Sequence, residues 1–405
     1  MSLAWRVRFN GAILPEGWEV RRVIDLVSLV NGYAFPSESF SPVGQMPLVR
    51  IRDLLSNEFE TYVSGEVPPS VLLRNGDVVI GMDGDFNLVL WNRGVAALNQ
   101  RVCALRPRPG IDVDLKFVAY ALPATLKVIN DLTFSTTVKH LSSNDVLGER
   151  LPLPPLPEQR RISDFLDVET ERIDNVCRLT AEQIELLKTR RRAFIEDLLR
   201  EVPRHAEVAL RYILRPSFTA NRPDLQVLSV YRDYGVIIKD SRQDNFNKTP
   251  EDLQRYLVVR PGNLVVNKMK AWQGSLGVSS HDGIVSPDYL VTQTITDDVD
   301  PKFLHYLLRS PRFVSEYGAR SQGIRPSQWR LYWDDFASIK VPQIAIEKQA
   351  EVVRLLEKED LWVERSLSVL TKRLDRLNER RQALITAAVT GQIDVSTASG
   401  REIED

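Results

Sequence analysis

The sequence predicts an α+β fold of two mixed α/β domains, each followed by one long helix, with the two helices pairing as an antiparallel coiled coil of pseudo-two-fold symmetry. Three observations predict it. The chain has 405 residues, more than one ordinary core holds. A module of about 190 residues occurs twice, and each copy ends in a stretch with coiled-coil spacing. The predicted segments are mixed domains at 1–156 and 203–343, helices at 157–202 and 344–395, and a tail at 396–405.

The repeat is visible in three pairs of segments. Residues 71–80 (VLLRNGDVVI) are echoed by residues 257–266 (LVVRPGNLVV), which puts Gly76 and Gly262 at equivalent positions 186 residues apart. The segment LPLP at 151–154 matches IKVP at 339–342, at an offset of 188. The segment KTRRRAFI at 188–195 matches NERRQALI at 378–385, at an offset of 190. An offset that drifts by so little indicates one duplicated module.

Each copy begins with short β-like runs, such as Asp77–Gly81 and Asn263–Asn267, separated by Gly, Pro and Asn turns. Each copy then continues as a single helical pattern. The first is expected to begin near Pro157, which suits a first helical turn, and to end before Pro203. The second is expected from about Glu347 to Thr390, with Gly391 as its cap.

Apolar residues recur every four and three positions in both helical stretches, which predicts a coiled-coil seam with an arginine at the same level of each helix. Helices of this length exceed the width of a small domain, so each needs a partner, and the matching pattern supplies one. The predicted seam residues are Ile173, Cys177, Thr180, Ile184, Leu187, Arg191, Phe194 and Leu198 in the first helix, and Val363, Leu367, Leu370, Leu374, Leu377, Arg381 and Leu384 in the second.

Charge, cysteine content and apolar segments exclude several classes of protein. A net charge of −1 excludes a uniformly basic nucleic-acid-binding surface, although residues 201–343 are net basic. Two cysteines, Cys103 and Cys177, cannot form a disulfide framework and favour a reducing compartment. Neither a signal-like N-terminal run nor a membrane-length apolar segment is present in the sequence. We therefore expect a cytoplasmic protein.

A chain that carries two copies of one module can form alone the pseudo-dimer that many DNA-binding proteins form from two chains. Two globular domains held at a fixed distance suit a DNA target with two half-sites separated by a gap that is not read. The repeat therefore favours a DNA-binding function, with helices that set the gap. The alternative is an interaction scaffold whose modules bind protein instead of DNA.

Several motifs resemble one known family. The segment LPLPPLPEQ at 151–159, followed by an arginine-rich helix, is similar to the conserved region of type I restriction-modification specificity subunits, as are EKQ at 347–349, RRQALI at 380–385 and GQI at 391–393. PEGW at 15–18 and NGYAF at 31–35 resemble that family's first target-recognition domain, and VVNKMKAWQG at 265–274 resembles a recognition-domain core. The resemblance covers nearly the whole chain, with Ile346 as one extra residue at the second helix start.

The resemblance implies a non-catalytic subunit in which each target-recognition domain specifies one half-site of a bipartite DNA sequence. It implies three kinds of partner: double-stranded DNA, two copies of an adenine-N6 DNA methyltransferase subunit, and a nuclease/translocase subunit that joins for restriction. The cofactor S-adenosylmethionine would be carried by the methyltransferase subunit, so no cofactor or metal is expected in this chain. Contact with a membrane is not expected.

Side chains that contact DNA are harder to predict from sequence. Arg and Gln can make bidentate contacts to guanine and adenine edges, whereas Lys and Thr more often contact phosphates. Solvated turns, or framework common to such domains, are an equally open interpretation. Trp272 and Trp329 fit a core role better than base stacking, since duplex DNA offers no free base face. The candidates are Thr136, Thr137, Lys139, His140, Lys268, Lys270, Gln273, Gln322, Arg325, Gln328 and Arg330.

Two catalytic interpretations are weaker. An adenine methyltransferase needs an Asn/Asp-Pro-Pro-Tyr-type tetrad, and SPDY at 286–289 departs from it. A magnesium nuclease could use Asp288, Asp300 and Lys302, but Pro301 would remove a hydrogen-bond donor from the strand that this site requires. A capped helix start at Asp300 explains the same residues. The sequence therefore predicts that the chain is not an enzyme.

The sequence is compatible with more than one role for four arginines of the long helices. Arg190, Arg191, Arg380 and Arg381 could pair with carboxylates of a partner subunit or with DNA phosphates. A solvated role, or a role within the seam, is as compatible with the pattern, because a polar residue in a seam can fix its register.

Overall fold

The structure, a computed structural model, describes residues 8–9, 12–56, 58–132, 139–202, 206–232, 234–241, 249–325 and 328–395. Its contacts divide the chain into two compact units. Unit 1 comprises residues 1–180 and 372–405, and unit 2 comprises residues 181–371. Each unit therefore holds one mixed domain, a part of the first long helix and a part of the second. The domain limits inferred from the sequence stay a prediction.

The mixed domain of unit 1 is built from short strands and three helices that precede the long one. Its strands are β1 Arg8–Phe9, β2 Ala12–Ile13, β3 Glu19–Arg22, β4 Val27–Asn31, β5 Phe40–Ser41, β6 Met46–Val49, β7 Tyr62–Val63, β8 Leu72–Leu73, β9 Val78–Gly81, β10 Leu88–Leu90, β11 Ala96–Leu98, β12 Val102–Pro107 and β13 Arg150–Leu153. Its helices are α1 Val23–Leu26, α2 Leu115–Leu132 and α3 Ser143–Gly148.

Two sheets organise unit 1. Four antiparallel strands lie in the order β10-β9-β12-β4, and five strands lie in the order β5-β7-β6-β11-β8, with β6 and β11 parallel. Strand β13 pairs with β3 beside them. One core packs the four-stranded sheet against α2 and against the long helices, where Ile162, Leu166 and Ile385 are buried. A second core, around Trp91, includes residues of both sheets.

The mixed domain of unit 2 has strands β14 Glu207–Ala209, β15 Leu214–Pro216, β16 Leu228–Tyr231, β17 Gly235–Ile238, β18 Leu257–Val259, β19 Leu264–Asn267, β20 Leu276–Val278, β21 Gly283–Val285, β22 Tyr289–Thr294 and β23 Lys340–Pro342. Its helices are α5 Pro301–Leu308, α6 Pro311–Arg320 and α7 Trp333–Ala337. A four-stranded sheet runs β15-β22-β19-β20, and three strand pairs, β16-β17, β18-β21 and β14-β23, accompany it.

The predicted repeat is reproduced bond by bond in the turn before β9 and β19. The N–H of Asp77 donates to the Arg74 carbonyl at 3.1 Å, and Asn263 repeats this bond to Arg260 at 3.0 Å. Each turn contains a glycine, Gly76 in unit 1 and Gly262 in unit 2. Their φ values are 96° and 87°, which a residue with a Cβ rarely adopts. The predicted β-runs are confirmed, because β9 and β19 follow these turns directly.

Both long helices are present: α4 spans Leu156–Arg200 and α8 spans Ile346–Val389. Pro157 lies in the first turn of α4, where its missing N–H costs no hydrogen bond, and Pro203 lies outside the described residues. Gly391 has a φ of 68°, and the Gln392 N–H returns to the Ala387 carbonyl at 2.8 Å. Gly391 therefore caps α8, as expected.

Within each unit the two long helices run antiparallel. In unit 1, Asp174 bonds Arg381, while Cys177, farther along α4, lies 4.0 Å from Asn378, which precedes Arg381 on α8. In unit 2, Arg191 bonds Asp360. Farther along α4, Leu199 shares a core with Val352 and Leu356 of α8, and both precede Asp360. The predicted α+β class, with two mixed domains and an antiparallel pair of long helices, is confirmed.

No helix within the described ranges is both long enough and apolar enough to cross a membrane.

Candidate functional site

Two loops of unit 2 collect most of the candidate DNA-contacting residues. One loop joins β19 to β20, and the other joins α6 to α7. The N–H of Leu331 donates to the Lys268 carbonyl at 2.9 Å, and the rings of Trp272 and Trp329 meet edge to face with centroids 5.5 Å apart. The loops therefore form one surface, called loop surface 2. Its candidate residues are Lys268, Lys270, Gln273, Gln322, Arg325, Gln328 and Arg330.

Several polar groups on loop surface 2 are held by neighbours. Lys268 Nζ donates to the Pro287 carbonyl at 2.9 Å, and Arg330 Nη1 lies 3.2 Å from Asp288 Oδ1. Gln322 Nε2 donates to an Asp335 carboxylate oxygen at 2.9 Å. Because a guanidinium carries five donors, this contact to Asp288 still allows a bidentate contact to a guanine edge. The arrangement orients Arg330 before any ligand arrives.

The remaining candidates of loop surface 2 are exposed. Lys270 precedes the short helical turn Ala271–Gln273, Gln273 is the last residue of that turn, and Arg325 and Gln328 lie in the second loop. The Gln328 N–H donates to the Arg325 carbonyl at 2.8 Å. Exposed Gln, Lys and Arg side chains on a compact turn are suited to contact phosphates and base edges.

Unit 1 carries an equivalent surface, called loop surface 1, which contains Lys139 and His140. The N–H of Leu141 donates to the Met82 carbonyl at 2.7 Å, which matches the bond from Leu331 to Lys268 in unit 2, although the two donors are 190 residues apart, two more than the offset between LPLP and IKVP. His140 thereby occupies the position of Arg330. Thr136 and Thr137 lie outside the described residues.

The two described candidates of loop surface 1 differ in what they contact. His140 Nδ1 lies 2.7 Å from Asp83 Oδ1, and Arg101 Nε lies 3.8 Å from the same carboxylate. Lys139 Nζ donates to the side-chain and backbone oxygens of Asn130, at 2.6 and 2.8 Å. Lys139 is half-buried, so its ammonium group serves the local loop structure, while His140 is exposed.

Sequence reasoning missed the residues that orient these candidates. Asp83 and Arg101 lie far along the chain from His140, and Asp288 lies far from Arg330, so no local pattern pointed to them. Arg101 combines a φ of 70° with an exposed side chain beside His140. A positive φ in a residue other than glycine is uncommon and concentrates at functional loops.

All of the predicted seam residues are buried or half-buried, from Ile173 to Leu198 in α4 and from Val363 to Leu384 in α8. Three of the four arginines singled out in the sequence, Arg190, Arg191 and Arg381, contact the other long helix. Arg191 Nε lies 2.6 Å from Asp360 and Arg381 Nε lies 2.9 Å from Asp174. The Arg190 guanidinium stacks 4.6 Å from the ring centre of Trp362. Of the alternatives left open, a role within the helix pair fits these contacts.

The residues of the nuclease alternative are used structurally. Asp300 caps α5 by accepting the Lys302 N–H at 2.7 Å, and Pro301 is the first residue of that helix. Lys302 Nζ bonds Glu357 at 2.6 Å, while Asp288 holds Arg330. Across the described ranges, no group of three His, Cys, Asp or Glu side chains could hold a metal ion. The capped helix start is confirmed, and the side chains of Asp300, Lys302 and Asp288 each have a structural partner of their own.

A cavity of about 600 Å³ lies in unit 1 between α2, the strand β10 and the end of α8. Its lining includes Lys116, Tyr120, Asp167 and Arg381. Lys116 and Tyr120 both bond Asp167 at 2.7 Å, and Arg381 bonds Asp174, so each of these polar groups already has a partner.

The chain is similar in sequence to several known proteins. Residues 15–188 match the family model described as the type I restriction modification DNA specificity domain. The type I restriction enzyme EcoBI specificity subunit of Escherichia coli is 29% identical, over 95% of this chain and 88% of its own length. The MjaVIII specificity subunit of Methanocaldococcus jannaschii is 22% identical, over 95% of both chains.

Two solved structures share the fold. A chain from a structural study of complex assembly and conformational transition in the type I R-M system superimposes with a TM-score of 0.69 at 19% identity, covering 94% of this chain and 100% of its own. The HsdS subunit from Thermoanaerobacter tengcongensis gives a TM-score of 0.50 at 18% identity, covering 95% and 99%. At these identities the likeness shows the fold alone.

Proposed function

We propose that this chain is a specificity subunit of a type I restriction-modification system, as its similarity to such subunits suggests, and that it selects a bipartite DNA target, with one half-site contacted by each mixed domain. The observation that carries the proposal is the duplicated loop surface. The bond from Leu141 to Met82 and the bond from Leu331 to Lys268 place equivalent loops, with His140 and Arg330 at matching positions, in two domains of one chain. Two equivalent DNA-contacting domains need two half-sites.

The chain itself acts by binding. It would contact double-stranded DNA through the loop surfaces and dock two copies of an adenine-N6 methyltransferase subunit, whose own S-adenosylmethionine supplies the methyl group. A restriction/translocase subunit would join the same assembly. Two observations support the assignment of binding to this chain and of catalysis to its partner subunits. The chain is similar to specificity subunits, and Asp288, Asp300 and Lys302 of unit 2 make structural contacts. The predicted compartment is the cytoplasm, where the DNA of a bacterial or archaeal cell lies.

The test is methylome sequencing of cells that express this chain with the methyltransferase subunit of its own system. We expect one methylated motif with two fixed half-sites and a spacer of constant length. In a second strain, residues 201–343 are replaced by the matching segment of a relative. This exchange should change one half-site and leave the other half-site and the spacer as they were.

The control is the reciprocal exchange of residues 1–156, which should change only the opposite half-site. A change of both half-sites in either strain would contradict the assignment of one half-site to each mixed domain. Assembly of the complex without any sequence-specific methylation would instead support the interaction-scaffold alternative.

A further inference from the structure

Three contacts fix the second mixed domain to the long helix α8. At the start of α5, the Asp300 N–H donates to Gln349 Oε1 at 2.9 Å. Two residues farther along α5, Lys302 Nζ bonds Glu357, which lies eight residues after Gln349 in α8, at 2.6 Å. One turn after that, the Tyr306 hydroxyl donates to Asp360 Oδ2 at 2.7 Å. Because the three contacts are spaced along both helices, they define the angle between α5 and α8 as well as the distance between them.

The last of these contacts reaches a third element. The Asp360 carboxylate accepts Tyr306 through Oδ2 and the Arg191 guanidinium of α4 through Oδ1, at 2.6 Å. One half-buried carboxylate therefore joins the mixed domain, α8 and α4. Burial raises the pKa of Tyr306 and the hydrogen bond to Asp360 raises it further, so the hydroxyl stays a donor at neutral pH. Hydrogen bonds to a charged acceptor are about twice as strong as neutral ones.

Unit 1 repeats the first part of this joint. Asp114 bonds Gln159 at 2.9 Å, and Lys116 and Tyr120 both bond Asp167 at 2.7 Å. The residue of α4 that corresponds to Asp360 is Thr170, whose hydroxyl lies 3.3 Å from that of Tyr120. A threonine carries no charge to attract an arginine.

The arginine of unit 1 accordingly has another partner. Arg381, the repeat equivalent of Arg191, bonds Asp174, which makes no bond to Tyr120 among the described contacts. The polar contacts of this joint in unit 1 thus reach α4, whereas those in unit 2 reach α8 and, through Asp360, α4 as well.

We propose that Asp360 is a positioning residue that, through Tyr306 and Arg191, sets the orientation of the second mixed domain on the helix pair and so determines which spacer length the complex accepts. This inference rests on the proposed bipartite function. The orientation of a mixed domain decides where its loop surface meets the DNA, because a small change of angle at the joint is enlarged at the far side of the domain. A loosened joint therefore admits neighbouring spacers without changing the sequence read in either half-site.

The test uses the assembled methyltransferase complex and a plasmid library in which the two half-sites are separated by the native spacer or by one or two base pairs more or fewer. Tyr306→Phe removes one hydroxyl and leaves the pair of Arg191 and Asp360 intact. Methylation of the neighbouring spacers, relative to the native one, should rise about tenfold, the ratio that corresponds to about 1.4 kcal/mol. The half-site sequences should stay unchanged.

Two further variants make the test specific. Asp360→Thr installs the residue that unit 1 uses, and should relax the spacer ratio at least as much as Tyr306→Phe. Tyr212→Phe removes an exposed hydroxyl from the same unit, and should leave the ratio at its wild-type value. If Asp360→Thr fails to fold, Tyr306→Phe decides alone.

An unchanged spacer ratio in folded Tyr306→Phe complex would overturn the inference, as would an equal loss of methylation at all spacers. Failure of the proposed function would look different, because the wild-type complex itself would then show no bipartite motif.

Discussion

Gln159 Oε1 accepts the backbone N–H of Asp114 at 2.9 Å, and this bond joins the first turns of α4 to the start of α2. The amide nitrogen of the same side chain donates to the Pro154 carbonyl at 2.8 Å. Gln349 repeats both contacts, with Asp300 and with Ile344. Gln159 and Gln349 are therefore buried links between each mixed domain and the long helix that follows it.

Replacement of Gln159 should destabilise unit 1, and replacement of Gln349 should destabilise unit 2. Gln159→Ala leaves a buried N–H and a buried carbonyl without their partner, which costs about 1–3 kcal/mol for each unsatisfied group. We expect a lower free energy of unfolding in urea denaturation, and the same for Gln349→Ala. Gln382→Ala, at an exposed position of α8, is the control and should change it by less than about 0.5 kcal/mol. Equal effects of all three would contradict the role of the link.

Gly391 is required where α8 ends. Its φ is 68°, and a Cβ at this position would lie 2.5 Å from the ring carbons of Pro15. Gly391→Ala should therefore lower the free energy of unfolding by roughly 1–3 kcal/mol, through backbone strain and crowding together. The change is measured by urea denaturation of the full chain.

Gly148→Ala is the matched control for Gly391→Ala. Gly148 lies in α3 without a positive φ, and a Cβ there would meet open space. Because alanine is the better helix former, this variant should be neutral or more stable by up to about 1 kcal/mol. A destabilised Gly148→Ala would show that the loss at Gly391 is not specific to its geometry.

His305 makes the stability of unit 2 depend on pH. Burial, with the nearby Arg309 charge, lowers the pKa of His305 to about 3, and its Nδ1 accepts the Val278 N–H at 3.1 Å. In the unfolded chain the pKa is near 6.5, so between these values the unfolded state binds more protons than the folded state. Stability is therefore lost as the pH falls from about 6.5 towards 3.

The expected size of this effect between pH 7 and pH 5 is about 2 kcal/mol, at 1.36 kcal/mol per pKa unit. His305→Asn keeps an acceptor for Val278 and cannot take up a proton, so its free energy of unfolding should fall by about 2 kcal/mol less over this range. His281→Asn serves as the control and should follow the wild type. Parallel pH profiles for wild type and His305→Asn would refute the assignment.

The length of the long helices should set the spacer. The tetrapeptides 180–183 of α4 and 367–370 of α8 are each duplicated, which lengthens both helices by the same four residues. Four helical residues add about 6 Å and a net rotation of about 40°. One base pair adds about 3.4 Å and about 35°. We expect methylation of the same half-sites with a spacer one base pair longer, found by methylome sequencing.

A change of sequence without a change of length is the control for this duplication. Glu182→Ala with Gln183→Ala, both at exposed positions of α4, should leave the spacer at its native length. Persistence of the native spacer alone after the double duplication would show that the helices do not measure the gap.

The sequence by itself determined the duplicated module and the long helices, because these depend on local periodicity. The spacing of Ile173, Thr180 and Leu187 predicts one apolar face wherever the partner lies, and these side chains are buried or half-buried as that spacing requires. The start of α4 and the end of α8 could also be predicted from the sequence, because Pro157 and Gly391 act through their own backbone preferences. The Asp300 cap was also predictable from local sequence, because the Asp300 carboxylate and the Lys302 N–H that it accepts are two residues apart.

Only the tertiary structure decided which side chains meet across the fold. Arg191 and Arg381 stand at the same level of the two repeats, yet one bonds Asp360 and the other Asp174. His140 and Arg330 find their carboxylates on distant loops. Such partners are fixed by the angle at which a mixed domain packs on its helices, and that angle results from the whole buried core. No local pattern of residues encodes it, because a contact between distant segments exists only once both have docked.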